Sequence, residues 1–103
     1  MRRLLSTTEA PSPVAETAFA ADRAWRLNPQ VALRDEVFGA LAYHYGNRRL
    51  VFLKSRLLVT LVSALADHPS ASEAIAACVP ERSHAAYERA LARLAASEVI
   101  DAC

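Results

Sequence analysis

The sequence has little glycine and almost no net charge, and these shortages bound what it can do. Only 2 of its 103 residues are glycine, and 12 basic against 11 acidic side chains leave a formal net charge of +1 at pH 7. No glycine-rich loop is visible, and no strong field draws the chain onto a polyphosphate backbone. Composition therefore argues against nucleic acid as a partner.

Cysteine, apolar runs and catalytic groupings are equally scarce. Cys78 and Cys103 lie far apart without CxxC or His-Cys spacing, which fits a reducing cytoplasm and predicts no metal or cofactor. The longest apolar run, residues 57–66, is about half of the roughly 20 residues that a membrane span needs. The amino terminus lacks the apolar stretch of a signal peptide, and no nucleophile with a base or carboxylate pair is present. We therefore predict a cytoplasmic protein that is not an enzyme and has no membrane partner.

The chain divides into an arm and one domain. Residues 1–21 carry Ser, Thr, Pro and Ala without a sustained period, which predicts a disordered N-terminal arm. Residues 22–103 form the domain, large enough for one modest core. Its strand signals are concentrated between Trp25 and Lys54, and alanine- and leucine-rich helical patterns follow.

The strand signals predict a three-stranded antiparallel meander. A first strand over residues 31–33 follows an extended entry fixed by Pro29, a turn covers residues 34–37, and a second strand covers residues 38–45. Gly46-Asn47 predicts a type II′ hairpin turn into a third strand.

That turn sets a register in which Tyr43 faces Leu50 and Leu41 faces Phe52. These four large apolar side chains share one face, so we expect that face to pack on the helices. The opposite face is expected to be at least partly solvated, with a solvated histidine; it carries Ala42, His44, Arg49 and Val51.

Three helices are predicted after the meander. The first runs from Ser55 to Asp67, and the second opens with a capping box at Ser70 and reaches about Cys78. The third covers residues 83–97, with its apolar stripe at Tyr87, Leu91 and Leu94. A three-stranded meander followed by three helices is an α+β, winged-helix-like arrangement, which several functions share.

Three segments carry a resemblance to a known family: WRLNPQVALR at 25–34, FGA at 38–40 and YHYGNRRLVFLK at 43–54. They strongly resemble the peptide chaperones of mycofactocin biosynthesis, precursor-recognition elements similar to the chaperone of pyrroloquinoline quinone synthesis. The resemblance covers about residues 22–97 and is densest in the sheet.

The resemblance implies that the domain captures a ribosomally made precursor peptide and presents it to a radical S-adenosylmethionine maturase, which modifies the carboxy-terminal Val-Tyr. It also implies that the leader docks as an added strand on the third strand, beside the third helix. An edge strand suits this role because its unpaired N–H and C=O groups are a template for an extended peptide. On the strand side the candidate peptide-binding residues are Arg48, Arg49, Leu50, Val51, Phe52 and Leu53.

The candidate peptide-binding residues on the third helix are chosen from the angular positions of its side chains around the helix axis. With the Tyr87 stripe facing the core, one flank of the third helix carries Ala86, Ala90 and Arg93, and the other carries His84, Glu88 and Ala95. We select the first flank because alanines let a peptide backbone approach and an arginine pairs with acidic side chains, which precursors of this family carry.

Alternative interpretations exist for the same residues. A winged-helix DNA-binding protein needs a basic recognition helix, but the second helix has no Lys or Arg and carries Glu73. Tyr43 and Phe52 are ordinary core candidates, and Arg48-Arg49 at a hairpin end can serve solubility alone. Trp25 fits either a contact with the arm or a partner surface.

Overall fold

The computed structural model describes residues 19–103, so residues 1–18 of the predicted arm lie outside the described residues. The predicted α+β fold, a three-stranded antiparallel meander followed by three helices, is confirmed. In chain order the elements are β1 (Trp25–Leu27), β2 (Val31–Glu36), β3 (Gly39–His44), β4 (Leu50–Leu53), α1 (Arg56–Ala64), α2 (Ala71–Cys78), α3 (His84–Ala96) and β5 (Ile100–Ala102).

The helices begin where the sequence places their caps. The Ser55 hydroxyl accepts a hydrogen bond from the Leu58 N–H at 3.1 Å at the start of α1, and Ser70 does the same for the Glu73 N–H at the start of α2. After α1 the chain continues as a 3-10 turn to Asp67, so the predicted first helix extends over both pieces. None of the helices in the described part of the chain has the length and apolar character needed to cross a membrane.

β2, β3 and β4 pair in that order, with the predicted register: Tyr43 lies opposite Leu50, and Leu41 opposite Phe52. The predicted type II′ turn is wrong. β3 and β4 are joined by a longer loop in which Arg48, with φ 66°, takes the left-handed conformation and donates its N–H to the His44 carbonyl at 2.8 Å. The predicted turn over residues 34–37 also begins too early, because β2 continues to Glu36.

The prediction of which sheet face is buried is wrong. Leu50 and Phe52 are each 58% exposed, whereas Ala40 and Ala42 are 0% and 1% exposed and face the helices. The physical reason is size: small side chains on this face let α1 lie close to the sheet, and Leu53 fills the remaining space. We call the opposite face the open face; its apolar residues are Leu41, Tyr43, Leu50 and Phe52.

His44 was predicted to be solvated but is only 4% exposed. Its Nδ1 accepts hydrogen bonds from the backbone N–H groups of Gly46 and Asn47, at 3.0 and 3.1 Å. Its Nε2 lies 3.3 Å from the side-chain nitrogen of Asn28 and 3.9 Å from a carboxylate oxygen of Glu98. The imidazole therefore holds the β3–β4 loop in place through the two hydrogen bonds that Nδ1 accepts from its backbone.

A second, two-stranded sheet pairs β1 with β5, and the sequence reasoning did not predict it. Trp25 lies opposite Ala102, and Leu27 opposite Ile100. Trp25 is 3% exposed, its indole N–H donates to the Ala20 carbonyl at 2.9 Å, and its ring lies 5.1 Å from that of Phe19. The packed chain therefore includes residues 19–21, which were predicted to belong to the arm.

Candidate functional site

β4 is an edge of the three-stranded sheet, and no strand lies beyond it among residues 19–103. The His44 N–H donates to the Arg49 carbonyl at 3.0 Å, so this pair is hydrogen-bonded. Because bonded pairs alternate in an antiparallel ladder, Val51 and Leu53 direct their backbone groups to β3. The backbone N–H and C=O groups of Leu50 and Phe52 therefore point to the open edge.

A groove of about 390 Å³ runs between this edge and α3. Side chains from β4, from the start of α1 and from one flank of α3 line it, and we use "the groove" for the space enclosed by Phe52, Lys54, Ser55, Leu58, Ala86, Tyr87, Ala90 and Arg93. The flank of α3 that faces the groove is the one with alanines, so the helix backbone is accessible to an extended chain.

The floor of the groove is held by Ser55 and Tyr87. The two hydroxyl oxygens lie 2.9 Å apart and share a hydrogen bond, while the Ser55 oxygen also caps α1. Leu58 is buried directly beyond this cap. These contacts fix the distance between the end of β4 and α3, so the groove is formed before any ligand arrives.

All charged side chains that line the groove are positive. Lys54 and Arg93 lie in its wall, and Arg48 and Arg49 lie exposed in the loop that precedes β4. None of these four cations makes an ion pair within 4.0 Å in the described part of the chain, where Arg26 pairs with Asp101 and Arg34 with Glu36. The electrostatic character of the groove therefore favours an acidic ligand.

The structure brings four of the nine sequence-predicted site residues into the lining of the groove: Phe52, Ala86, Ala90 and Arg93. Arg48, Arg49 and Leu50 are exposed at the start of β4 but lie outside that lining. Val51 is half-buried and Leu53 is fully buried, because their side chains point to the helices. These two residues face the core, and their backbone groups are used by β3.

Sequence reasoning missed four residues that line the groove: Lys54, Ser55, Leu58 and Tyr87. The alternation of a strand could have found Lys54, since it follows Phe52 by two positions. Tyr87 lies one helical turn before Ala90 and was assigned to the core, yet its hydroxyl reaches the groove. Ser55 was recognised only as the start of a helix.

Comparisons with known proteins agree on one family. Residues 24–101 match the family model described as the Peptide chaperone MftB family. The chain is 50% identical to the peptide chaperone MftB of Mycobacterium ulcerans over 97% of its length and 94% of that protein. It is 48% identical to the protein of the same name from Mycolicibacterium smegmatis, over 82% of this chain and 84% of that one. It is also 43% identical to that of Mycobacterium tuberculosis, over 93% and 92% respectively. No solved structure shows significant similarity to it.

Proposed function

This chain belongs to the peptide chaperone MftB family, and from that premise we propose that it binds the leader of a ribosomally made precursor peptide as an added strand on β4. We further propose that it then presents the bound peptide to a radical S-adenosylmethionine maturase in mycofactocin biosynthesis. The protein itself contributes binding and orientation, and the chemistry belongs to the maturase.

The observation that carries the strand-addition mechanism is the open edge of β4 beside a preformed groove. Leu50 and Phe52 offer outward backbone N–H and C=O groups, and the wall opposite them contains Ala86 and Ala90. An extended peptide placed there satisfies the edge, and every second side chain enters the groove. Main-chain bonds supply affinity that depends little on sequence, so the groove supplies the selectivity.

Charge supports the same ligand. Arg93 and Lys54 in the groove wall, and the Arg48-Arg49 pair before β4, favour a peptide that carries acidic side chains. Such exposed cations steer encounter more than they hold the complex. We expect the association rate to fall as salt is added.

The test addresses the backbone directly. Leu50→Pro removes an outward N–H, whereas Leu50→Ala keeps it and shortens the same exposed side chain. Proline at Val51 is unsuitable because that N–H points to β3 and the sheet itself would be broken. Calorimetry with the synthetic cognate precursor peptide should show about tenfold weaker binding for Leu50→Pro than for Leu50→Ala.

Equal binding by the two Leu50 variants, with unchanged thermal unfolding, would rule out strand addition at β4. The presentation step has its own measurement. Mass spectrometry should show that the purified maturase modifies the precursor peptide faster when the chaperone is present. A maturase that works equally well without it would leave a peptide-binding protein with no role in presentation.

The DNA-binding alternative gains no support from the helices. α2 contains no Lys or Arg and has Glu73 in its first turn. A helix of this composition repels phosphates where a recognition helix must neutralise them.

A further inference from the structure

The open face of the sheet carries large apolar side chains that the free domain does not cover. Phe38, in the turn between β2 and β3, is 45% exposed, and Phe52 on β4 is 58% exposed. Their rings lie 5.8 Å apart in an edge-to-face arrangement. Two aromatic rings held together at the surface favour an apolar ligand, because each still has much of its area in contact with water.

These rings border a second cavity, which we call the outer cavity. It has a volume of about 400 Å³ and is lined by Phe38, Phe52 and Lys54. Phe52 and Lys54 also line the groove, so the two cavities adjoin at the same strand edge; residues of α1 and α3 line the groove, whereas no helix residue lines the outer cavity. An extended chain paired with β4 directs alternate side chains to opposite faces of the sheet. One set enters the groove, and the other set reaches the outer cavity.

We propose that the outer cavity is a second subsite for the precursor peptide, in which Phe38 and Phe52 bind the side chains that point away from the helices. This inference rests on the proposed function, since it requires a peptide strand on β4. It adds a statement about the ligand: the recognised segment carries apolar side chains at consecutive positions, not only at alternate ones.

The composition of a strand depends on whether one or both of its faces contact apolar neighbours. A strand with one wet face alternates apolar and polar residues, whereas a strand with apolar neighbours on both faces is apolar throughout. Here the inner neighbours of the peptide are Leu58, Ala86 and Ala90, and the outer neighbours are the two phenylalanines. Lys54 borders both cavities, so an acidic residue flanking the apolar run would find a cation on either face.

The experiment selects random 12-residue peptides by mRNA display on the full chain, and on the Phe38→Ser variant. Phe38→Ser changes the lining of the outer cavity and keeps every residue that lines the groove, because Phe38 itself does not line the groove. Val37→Ser is the matched control: it removes an apolar side chain that is 94% exposed in the same turn. Peptides selected on the unmodified chain should contain a consecutive apolar run with an acidic flank.

These peptides should bind Phe38→Ser about 5 to 10 times more weakly, and Val37→Ser unchanged, at a temperature at which thermal unfolding shows all three proteins to be folded. Peptides selected on Phe38→Ser should need apolar residues only at alternate positions. Selected peptides that alternate on the unmodified chain, and bind Phe38→Ser equally well, would overturn the second subsite and leave strand addition intact. Failure to select any peptide that the synthetic precursor displaces would overturn both proposals together.

Discussion

Gly39 has a backbone conformation that only glycine adopts readily, so we expect Gly39→Ala to destabilise the domain. Its φ of +149° is a conformation that L-residues rarely adopt. A Cβ at this position would overlap the Leu53 carbonyl oxygen and lie 2.9 Å from the Ser55 nitrogen. Both neighbours are backbone atoms at the junction of β4 and α1, so neither can move without shifting the edge strand or the helix cap.

The magnitude follows from two penalties. Backbone strain at such a φ costs about 1–3 kcal/mol, and forcing extra volume into a packed site costs about 1–3 kcal/mol more. We therefore expect Gly39→Ala to lower the free energy of unfolding by about 3 kcal/mol or more. In a domain of this size that corresponds to a midpoint about 12–24 °C lower.

Urea denaturation followed by tryptophan fluorescence measures the difference, since Trp25 is buried in the folded chain. Val37→Ala, in the same turn but 94% exposed, is the control and should change the unfolding free energy by less than about 0.5 kcal/mol. A loss below about 1 kcal/mol for Gly39→Ala would refute the close backbone approach.

Two further predictions separate charge from packing. Arg93→Glu should weaken binding of the synthetic precursor by about fivefold at low salt, and by less at high salt. Arg89 is exposed and lies outside the groove lining, so Arg89→Glu is the control and should leave binding unchanged. Equal losses of affinity for the two variants would show that only net charge matters. Deleting residues 1–21 should lower the thermal midpoint by about 8–16 °C relative to deleting residues 1–18, because the longer deletion also removes Phe19 and Ala20, which contact Trp25. Identical midpoints of the two variants in differential scanning calorimetry would contradict that contact.

Features of the fold that depend on neighbouring residues were predicted from the sequence, whereas contacts between distant residues were not. Ser55 and Ser70 mark helix starts because a cap is decided within four residues of chain. The pairing of β1 with β5 joins residues 75 positions apart, such as Arg26 and Asp101, and no local pattern encodes it. His44 was misjudged because its partners are the backbone N–H groups of its own loop, which exist only once the loop has closed.

The candidate site was predicted in part, for a similar reason. Helical angles selected the flank of α3 with Ala90 and Arg93, which is the flank that lines the groove. The register of β4 was also predicted, but its inward face was not, because both faces of the sheet carry apolar residues. Size then suggested that Phe52 belongs to the core, whereas α1 packs closely on the small side chains of Ala40 and Ala42 on the inner face of β3.

In this sheet the small apolar side chains face the core and the large ones face solvent, so different residues serve stability and surface contacts. Ala40, Ala42 and Leu53 bury almost completely and supply cohesion, while Leu50 and Phe52 keep more than half of their surface in water. Apolar area that is exposed in the free protein adds nothing to its stability and becomes favourable only when a ligand covers it. The residues that would have enlarged the core therefore stay exposed, so that a chain of 103 residues maintains both a core and an exposed apolar edge.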